Sequence, residues 1–319
     1  MSEDYLTKLE AKFNEFRAAH FTRSQDLFEA RKGSAVVFKQ AELNLLIPPF
    51  CTSAERQQII EKIPPAKRHK HFASMRSSQA LAQSVFGTIE VLNRLPKLSA
   101  VKSEDGRLAF GNTLCQTKLC FEKEMQTLEE PNPTSVDVWF DGPYRIAVEC
   151  KLTEREFGTC SMTRRKPTDK QYCDGNYAQQ AERIERCALT EIGVGYWRYI
   201  PELFGWPSDI DHRPCPFGFT YQLVRNVLAA CIDEEGKIRT DLGHVLIIYD
   251  ERNPAIGKAG TKAEDDTCDR QWRTAYYALR ERSILRRLSW QSLIAQWPSD
   301  PILDWLKEKL DDKYGLLPD

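Results

Sequence analysis

Apolar and polar positions change period several times along this chain, and each change marks an element. Val136, Val138 and Phe140 alternate with Asp137, Trp139 and Asp141, and Ile146, Val148, Cys150 and Leu152 alternate with Arg145, Ala147, Glu149 and Lys151. Successive side chains of a strand point to opposite faces, so both segments read as strands. Asp141-Gly142-Pro143 between them is turn chemistry. The predicted hairpin has one wholly apolar face and, on its reverse, an acid from each strand beside a lysine. Upstream, 118–125 largely alternates, with Leu119, Phe121 and Met125 on one side, and predicts a first strand. Residues 243–250, G-H-V-L-I-I-Y-D, form a continuous apolar run and read as a buried strand.

Helical spacing appears elsewhere. Leu6, Leu9, Phe13 and Phe16 recur among charges in 5–31 and predict an amphipathic helix. Pro48 and Pro49 break the pattern, and 56–63 predicts a short helix ending before Pro64-Pro65. A further helix is expected over about 77–95, capped by Ser77 or Ser78. Leu81, Val85, Ile89 and Leu92 form its core stripe, while Gln79, Gln83 and Glu90 lie on another face. Helices are also expected over 176–189, 221–232, 269–288 and 302–312. Segment 153–175 is polar and basic and reads as a loop, and 195–218, rich in aromatics and prolines, reads as an irregular insertion. No repeat, linker or low-complexity segment interrupts the pattern. One elaborated domain over 1–319 is therefore expected, with a core at about 75–250 and helical additions at 1–74 and 265–319.

The polar face of the hairpin carries the candidate chemistry. Hydrolysis of a phosphodiester needs hard oxygen ligands for Mg²⁺ and positive charge where negative charge develops. Asp137 and Glu149 supply carboxylates, and the backbone carbonyl of Cys150, between the two outward side chains, is a third candidate ligand. Lys151 supplies the charge. Isolated E-x-K triplets are commonplace and usually form a solvated, self-paired face. Here the triplet closes a strand that follows a tight turn and an earlier Asp, which favours a site.

The D…E-x-K arrangement resembles the PD-(D/E)xK nuclease superfamily, the restriction-endonuclease-like fold, over about residues 75–250. Asp137 falls on the motif's aspartate, Glu149 on its second acid and Lys151 on its lysine, while Val136 stands where a proline often precedes the aspartate. Segments M-R-S-S-Q-A-L (75–81), E-C-K-L-T-E-R-E-F-G (149–158), Y-C-D-G-N-Y-A-Q-Q (172–180) and F-T-Y-Q-L-V-R-N (219–226) are similar to a bacterial family of predicted restriction endonucleases within it. The resemblance implies an α/β fold with an αβββαβ core, a mixed central sheet flanked by helices, and helical terminal additions. It implies an endonuclease that uses Mg²⁺ (or Mn²⁺) to cut DNA, serving restriction or defence. It also implies that Glu90 joins the metal site from the first helix and that Tyr177 and Gln180 open the helix after the hairpin near the scissile phosphate. Gln79, on the Glu90 face, is a candidate contact for substrate or acids, and Glu122, on a face with Cys120 and Glu124, a candidate to border the site. Each of these accessory residues has an ordinary alternative as solvated surface.

Composition narrows the picture further. Lys and Arg number 45 against 46 Asp and Glu, a formal charge of −1, so nothing draws the whole chain toward nucleic acid. Phosphate contacts must come from local patches: Lys67, Arg68, Lys70 and Arg76 with the neighbouring His69 and His71, and Arg164 and Arg165 in the basic loop. His69 and His71 have no evident third metal-ligand partner. The ten cysteines include no C-x-x-C pair, so zinc and ferredoxin spacings are missing and scattered reduced thiols are expected. Cys160, Cys173, Cys187 and Cys215 are the set that would have to converge to hold an iron–sulfur cluster of the kind some nucleases of the superfamily carry. The charged N-terminus lacks an apolar signal core and the longest apolar runs are far below a membrane span, so a soluble cytoplasmic protein is expected. Neither G-x-x-x-x-G-K-[ST] nor G-x-G-x-x-G occurs, so no ATP-driven step is expected. A homodimer and an RNA substrate stay open. The alternatives are a catalytically silent relative of the same fold that binds nucleic acid or protein, or a repair or RNA-directed nuclease. The intact acid–acid–lysine set favours the active enzyme.

Overall fold

Five strands form one mixed sheet in the order β1-β2-β3-β4-β5. β1 (Lys118–Glu124), β2 (Ser135–Asp141) and β3 (Arg145–Lys151) make an antiparallel meander; β4 (Gly243–Tyr249) pairs with β3 and β5 (Leu285–Ser289) with β4, both in parallel. The computed structural model describes residues 3–21, 25–30, 36–111, 114–126, 128–131, 133, 135–179, 183–256 and 267–317. Every residue of β4 is buried, as a parallel strand covered on both faces requires. Its first residue must be glycine-sized: a Cβ at Gly243 would meet the Arg145 carbonyl oxygen at 2.3 Å.

The helices lie on both sheet faces. Those of six residues or more among the described residues are α1 (Glu3–His20), α2 (Ser53–Glu61), α3 (78–91), α4 (Tyr196–Leu203), α5 (Tyr221–Cys231), α6 (Thr267–Ala278), α7 (Trp290–Ala295) and α8 (Pro301–Tyr314). On one face, Leu81, Val85 and Ile89 of α3 share a core with Val138, Phe140, Ile146 and Val148. On the other, Leu223, Val224 and Val227 of α5 share a core with Trp139, Ala147, Val245 and Ile247. Full burial of each such side chain contributes about 1.5–3 kcal/mol, which is what holds the two layers against the sheet. α1 and α8 join the first layer, with Phe13 edge-on to Tyr314 at 5.7 Å. The Tyr5 hydroxyl donates to the Leu152 carbonyl at 2.8 Å and Asn253 donates to the same oxygen at 3.0 Å, so the end of β3 is tied down from both sides.

Strand parity flips once. Leu119, Phe121, Val138 and Phe140 belong to the α3 layer, but Met125 and Val136, expected beside them, pack in the α5 layer. The flip falls at Glu122 and Asp137, where the β1–β2 register is interrupted between the Phe121–Val138 and Lys123–Val136 pairs, and Glu122 has φ 49°. A non-glycine residue in that left-handed region rotates the strand and is tolerated only where its surroundings hold it.

Four helical expectations change. α1 ends at His20, and Phe28 instead pairs with Phe38 in an isolated bridge within an aromatic cluster that includes Phe21. α3 ends at Val91 and carries a π-helical turn over Gln83–Gly87. The helix expected over 176–189 does not form among the described residues. Tyr177 pairs with His212 and its ring stacks on Trp197 at 4.0 Å, and only Ala188–Glu191 makes a helical turn. The helix before β4 is α5. Finally, 269–288 splits: α6 stops at Ala278, and Leu285–Ser289 becomes edge strand β5, because Leu285 and Leu288 bury against β4.

Candidate active site

The β2–β3 ladder pairs Phe140 with Ile146, Trp139 with Ala147 and Val138 with Val148, and then stops. Asp137 enters the gap. Its Oδ2 accepts the backbone N–H of Cys150 at 2.8 Å. The Cys150 thiol lies on the opposite side, buried with Ile146, Val148 and Leu152, and burial pushes its pKa far up. Alternation then leaves Glu149 and Lys151 on the side of Asp137. Asp137, Glu149, Cys150 and Lys151 line a cleft of about 720 Å³, together with Glu122, Gln79, Gln222 and Glu154.

The acids repel one another. Burial, followed by the charges of Glu149 and Glu122, raises the Asp137 pKa well above the usual carboxylate value. Burial also raises that of Glu122, against the hydrogen bonds from Gln79 and Ser135. Lys151 is the buried countercharge, with Nζ 2.9 Å from Glu149 Oε1. Burial opposes its charge, but Glu149, Glu154 and Asp137 together keep its pKa above that of an ordinary lysine.

Two amides on α5 hold this arrangement. Gln222 Nε2 donates to Glu149 Oε1 at 2.8 Å, while Gln222 Oε1 accepts from Lys151 Nζ at 3.2 Å and from the Gly158 N–H at 3.0 Å. Asn226, one helical turn later, donates to Glu149 Oε2 at 3.1 Å. Neither amide was among the sequence candidates. Their segment carried the family resemblance, and the signal available was two amides four apart on a largely apolar helix whose other polar side chains are Tyr221 and Arg225. Gln79 plays the matching part for Glu122: Nε2 donates to Glu122 Oε1 at 2.5 Å and Oε1 accepts the His69 N–H at 2.9 Å. Glu154 is held by the Ser78 hydroxyl at 2.6 Å, which links α3 to the segment after β3.

The other sequence candidates divide. Lys67 and Arg76 line the cleft, as do His69 and His71, whose rings lie 5.1 Å apart. Lys67 pairs with Glu124 at 3.1 Å and Arg76 pairs with Glu10. Lys70 is exposed beside them. Arg68 turns away, pairing with Glu42 and packing over the Phe72 ring at 5.0 Å. Arg164 and Arg165 are exposed, bonded to Thr159 and Asp169, and do not line the cleft. Glu90 is also elsewhere: it pairs with Lys62 at 2.5 Å and accepts the Leu119 N–H at 2.9 Å. Eleven residues separate it from Gln79, roughly 16 Å along the helix, too far to reach the same acids. Tyr177 is buried in the insertion, its hydroxyl on the Ser208 carbonyl at 3.0 Å. Gln180 lies outside the described residues.

Carboxylates of Asp137, Glu149 and Glu122 with the Cys150 carbonyl make an all-oxygen donor set, which suits a hard divalent cation. Their mutual repulsion is the strain that such a cation relieves. Among the described residues no three ligating side chains are already gathered tightly enough to enclose an ion. Glu149 in particular is engaged by Gln222, Asn226 and Lys151 and must exchange a partner to bind one.

No helix among the described residues is long and apolar enough to cross a membrane. Comparison with curated proteins and with solved structures returns no match. A family model matches residues 14–315, nearly the whole chain, and on that ground the protein belongs to the family described as restriction endonuclease associating with ARP.

Proposed function

We propose that the cleft is the active site of a Mg²⁺-dependent endonuclease that hydrolyses phosphodiester bonds in DNA, in a restriction or defence role. The observation that carries this reading is the meeting of Asp137, Glu149 and Lys151 in one cleft, with Glu122 opposite, in a member of a restriction-endonuclease family. The order α3, β1–β3, α5, β4 supports an αβββαβ core of the restriction-endonuclease-like type, to which 1–74 and 265–319 add within one elaborated domain.

Mg²⁺ held by Asp137, Glu149 and the Cys150 carbonyl would supply Lewis acidity and an activated water. The chain's own groups do the rest. Lys151 stays protonated because carboxylates surround it, and it presents that charge to the phosphate as negative charge develops. Gln222 fixes Glu149 and Lys151 relative to each other, so the acid and the cation keep one geometry through turnover. Lys67, Arg76, His69 and His71 put donor groups on the cleft wall, where Lys67 and Arg76 would exchange their partners Glu124 and Glu10 for backbone phosphates.

The test is plasmid cleavage by the wild type with Mg²⁺ and with EDTA, beside Asp137→Ala and an RNA substrate of similar length. Cutting of DNA by the wild type in Mg²⁺ alone is expected. Cutting of RNA only would overturn the substrate, and no cutting of either in Mg²⁺ or Mn²⁺ would point to a silent nuclease fold.

A further inference from the structure

Between β3 and α4 the chain runs from 152 to 195 with only two short turns of regular structure among the described residues, Ser161–Arg164 and Ala188–Glu191. A stretch of that length without its own ladder or long helix needs another source of order. Four cysteines occur along it and just beyond, and all four face the same place. Cys160, Cys173, Cys187 and Cys215 line one cavity of about 20 Å³, walled otherwise by small and apolar residues such as Met162 and Phe217. None of its lining residues lines the acidic cleft.

Backbone hydrogen bonds hold the walls in place. The Cys160 N–H donates to the Gly218 carbonyl at 2.9 Å, that of Cys173 to Met162 at 3.2 Å, and that of Cys215 to Gly175 at 2.7 Å. The Cys215 sulfur accepts the Gly218 N–H at 3.3 Å, a bond that suits a thiolate better than a thiol. No charged side chain lines the cavity to compete with an ion or to explain the cysteines as partners of something else. Four soft sulfur donors around a nearly dry, atom-sized space are the donor set of a structural zinc site. As the walls stand, the space admits one atom-sized occupant.

We propose that Cys160, Cys173, Cys187 and Cys215 bind a single structural Zn²⁺ that pins the insertion between β3 and α5. Each thiol releases its proton to solvent and the sulfur donates a lone pair to the metal, so four protons leave for one ion bound. Zn–S bonds are about 2.3 Å, so the ring must contract on uptake, since no three ligands among the described residues are yet at ion-holding distance. Ligation needs the thiolates, so uptake weakens in acid. The site is independent of the nuclease reading.

The test uses the full chain purified without chelator, with metal content measured directly and Zn²⁺ then exchanged for Co²⁺. One zinc per chain is expected, and the Co²⁺ form should show the intense thiolate charge-transfer bands of four-sulfur coordination. Cys173→Ser and Cys187→Ser, at half-buried positions, should each lose the metal and the bands, while Cys115→Ser, exposed and outside the cavity, keeps both. Asp137→Ala should also keep them. Wild-type protein without zinc and without cobalt–thiolate bands would overturn the site. So would disulfides among the four cysteines, or retention of zinc when Cys173 and Cys187 are both serine. Stoichiometric iron with sulfide in place of zinc would overturn the single-ion assignment.

Discussion

The Asp137 carboxylate accepts the Cys150 N–H at 2.8 Å, with Asp137 one residue and Cys150 two residues beyond the last Val138–Val148 pair of the β2–β3 ladder. A side chain thus takes the place of a backbone partner where the strands part. The bond orients the acid from β2 toward the two site residues of β3, and it also satisfies an amide that the open ladder would leave bare. The gap in the sheet and the placement of the first acid are one feature.

Replacing either acid tests the site. Asp137→Ala and Glu149→Ala should each abolish Mg²⁺-dependent cleavage while circular dichroism stays native. Asp137→Asn should also raise the neutral-pH melting temperature of the metal-free protein. The sign follows from linkage: the folded-state pKa of Asp137 is raised, so the folded protein holds this proton more tightly than the unfolded chain, and stability is lost as pH climbs through that range. The advantage of the Asn variant should vanish in acid, where the wild-type carboxyl is protonated in both states. A variant that cuts at the wild-type rate would remove that residue from the site.

Lys151→Met should leave Mg²⁺ binding measurable by calorimetry while turnover falls by orders of magnitude. The ammonium lies 2.9 Å from Glu149 and offsets the acids without itself being a ligand. Lost Mg²⁺ binding with normal turnover would contradict the role.

Gln222→Leu should fall chiefly in kcat, by about tenfold or more, with little change in KM. It removes the amide that joins Glu149 to Lys151, and small misplacements of reacting groups are costly. Gln222→Glu would add a further acid and should not rescue activity. Equal kcat in wild type and the Leu variant would show that Asn226 alone holds Glu149.

Cys150→Val should keep most activity and cost less than about 1.5 kcal/mol, since the thiol packs among Ile146, Val148 and Leu152. Cys150→Asp should damage folding by burying an unpaired carboxylate. Rapid labelling of Cys150 by a thiol reagent in the folded protein would contradict its burial.

Lys313 gives a pH signature away from the site. It is buried in α8, donates to the Asn44 side-chain oxygen at 2.7 Å, and burial lowers its pKa to about 7. Its depressed folded-state pKa means that stability should rise as pH climbs from about 7 toward the unfolded value, by up to about 1.4 kcal/mol per pH unit. Chemical denaturation of wild type and Lys313→Met across that range should show this slope in the wild type only. Parallel slopes would mean that the ammonium stays charged in its pocket.

The hairpin was legible because its information is local. Period-2 alternation in V-E-C-K separates Cys150 from Glu149 and Lys151 wherever the strand sits, and the Asp-Gly-Pro turn brings the two strands together. The apolar run of β4 and the core stripe of α3 were legible for the same reason. What the sequence determined by itself was therefore which residues of β3, and of β2 from Val138 onward, share a face, and that two acids and a lysine would meet. Tertiary structure alone decided the rest. The left-handed Glu122 that flips strand parity, the pairing of Tyr177 with His212 instead of a helix, and the burial of Leu285 and Leu288 as β5 each depend on a distant partner. Gln222 and Asn226 reach Glu149 across more than seventy residues of chain, and four cysteines with no ligand-like spacing surround one cavity. Local periodicity records the face a residue presents, whereas what that face meets is set by long-range packing, where a few well-placed contacts outweigh the small intrinsic preferences of each segment.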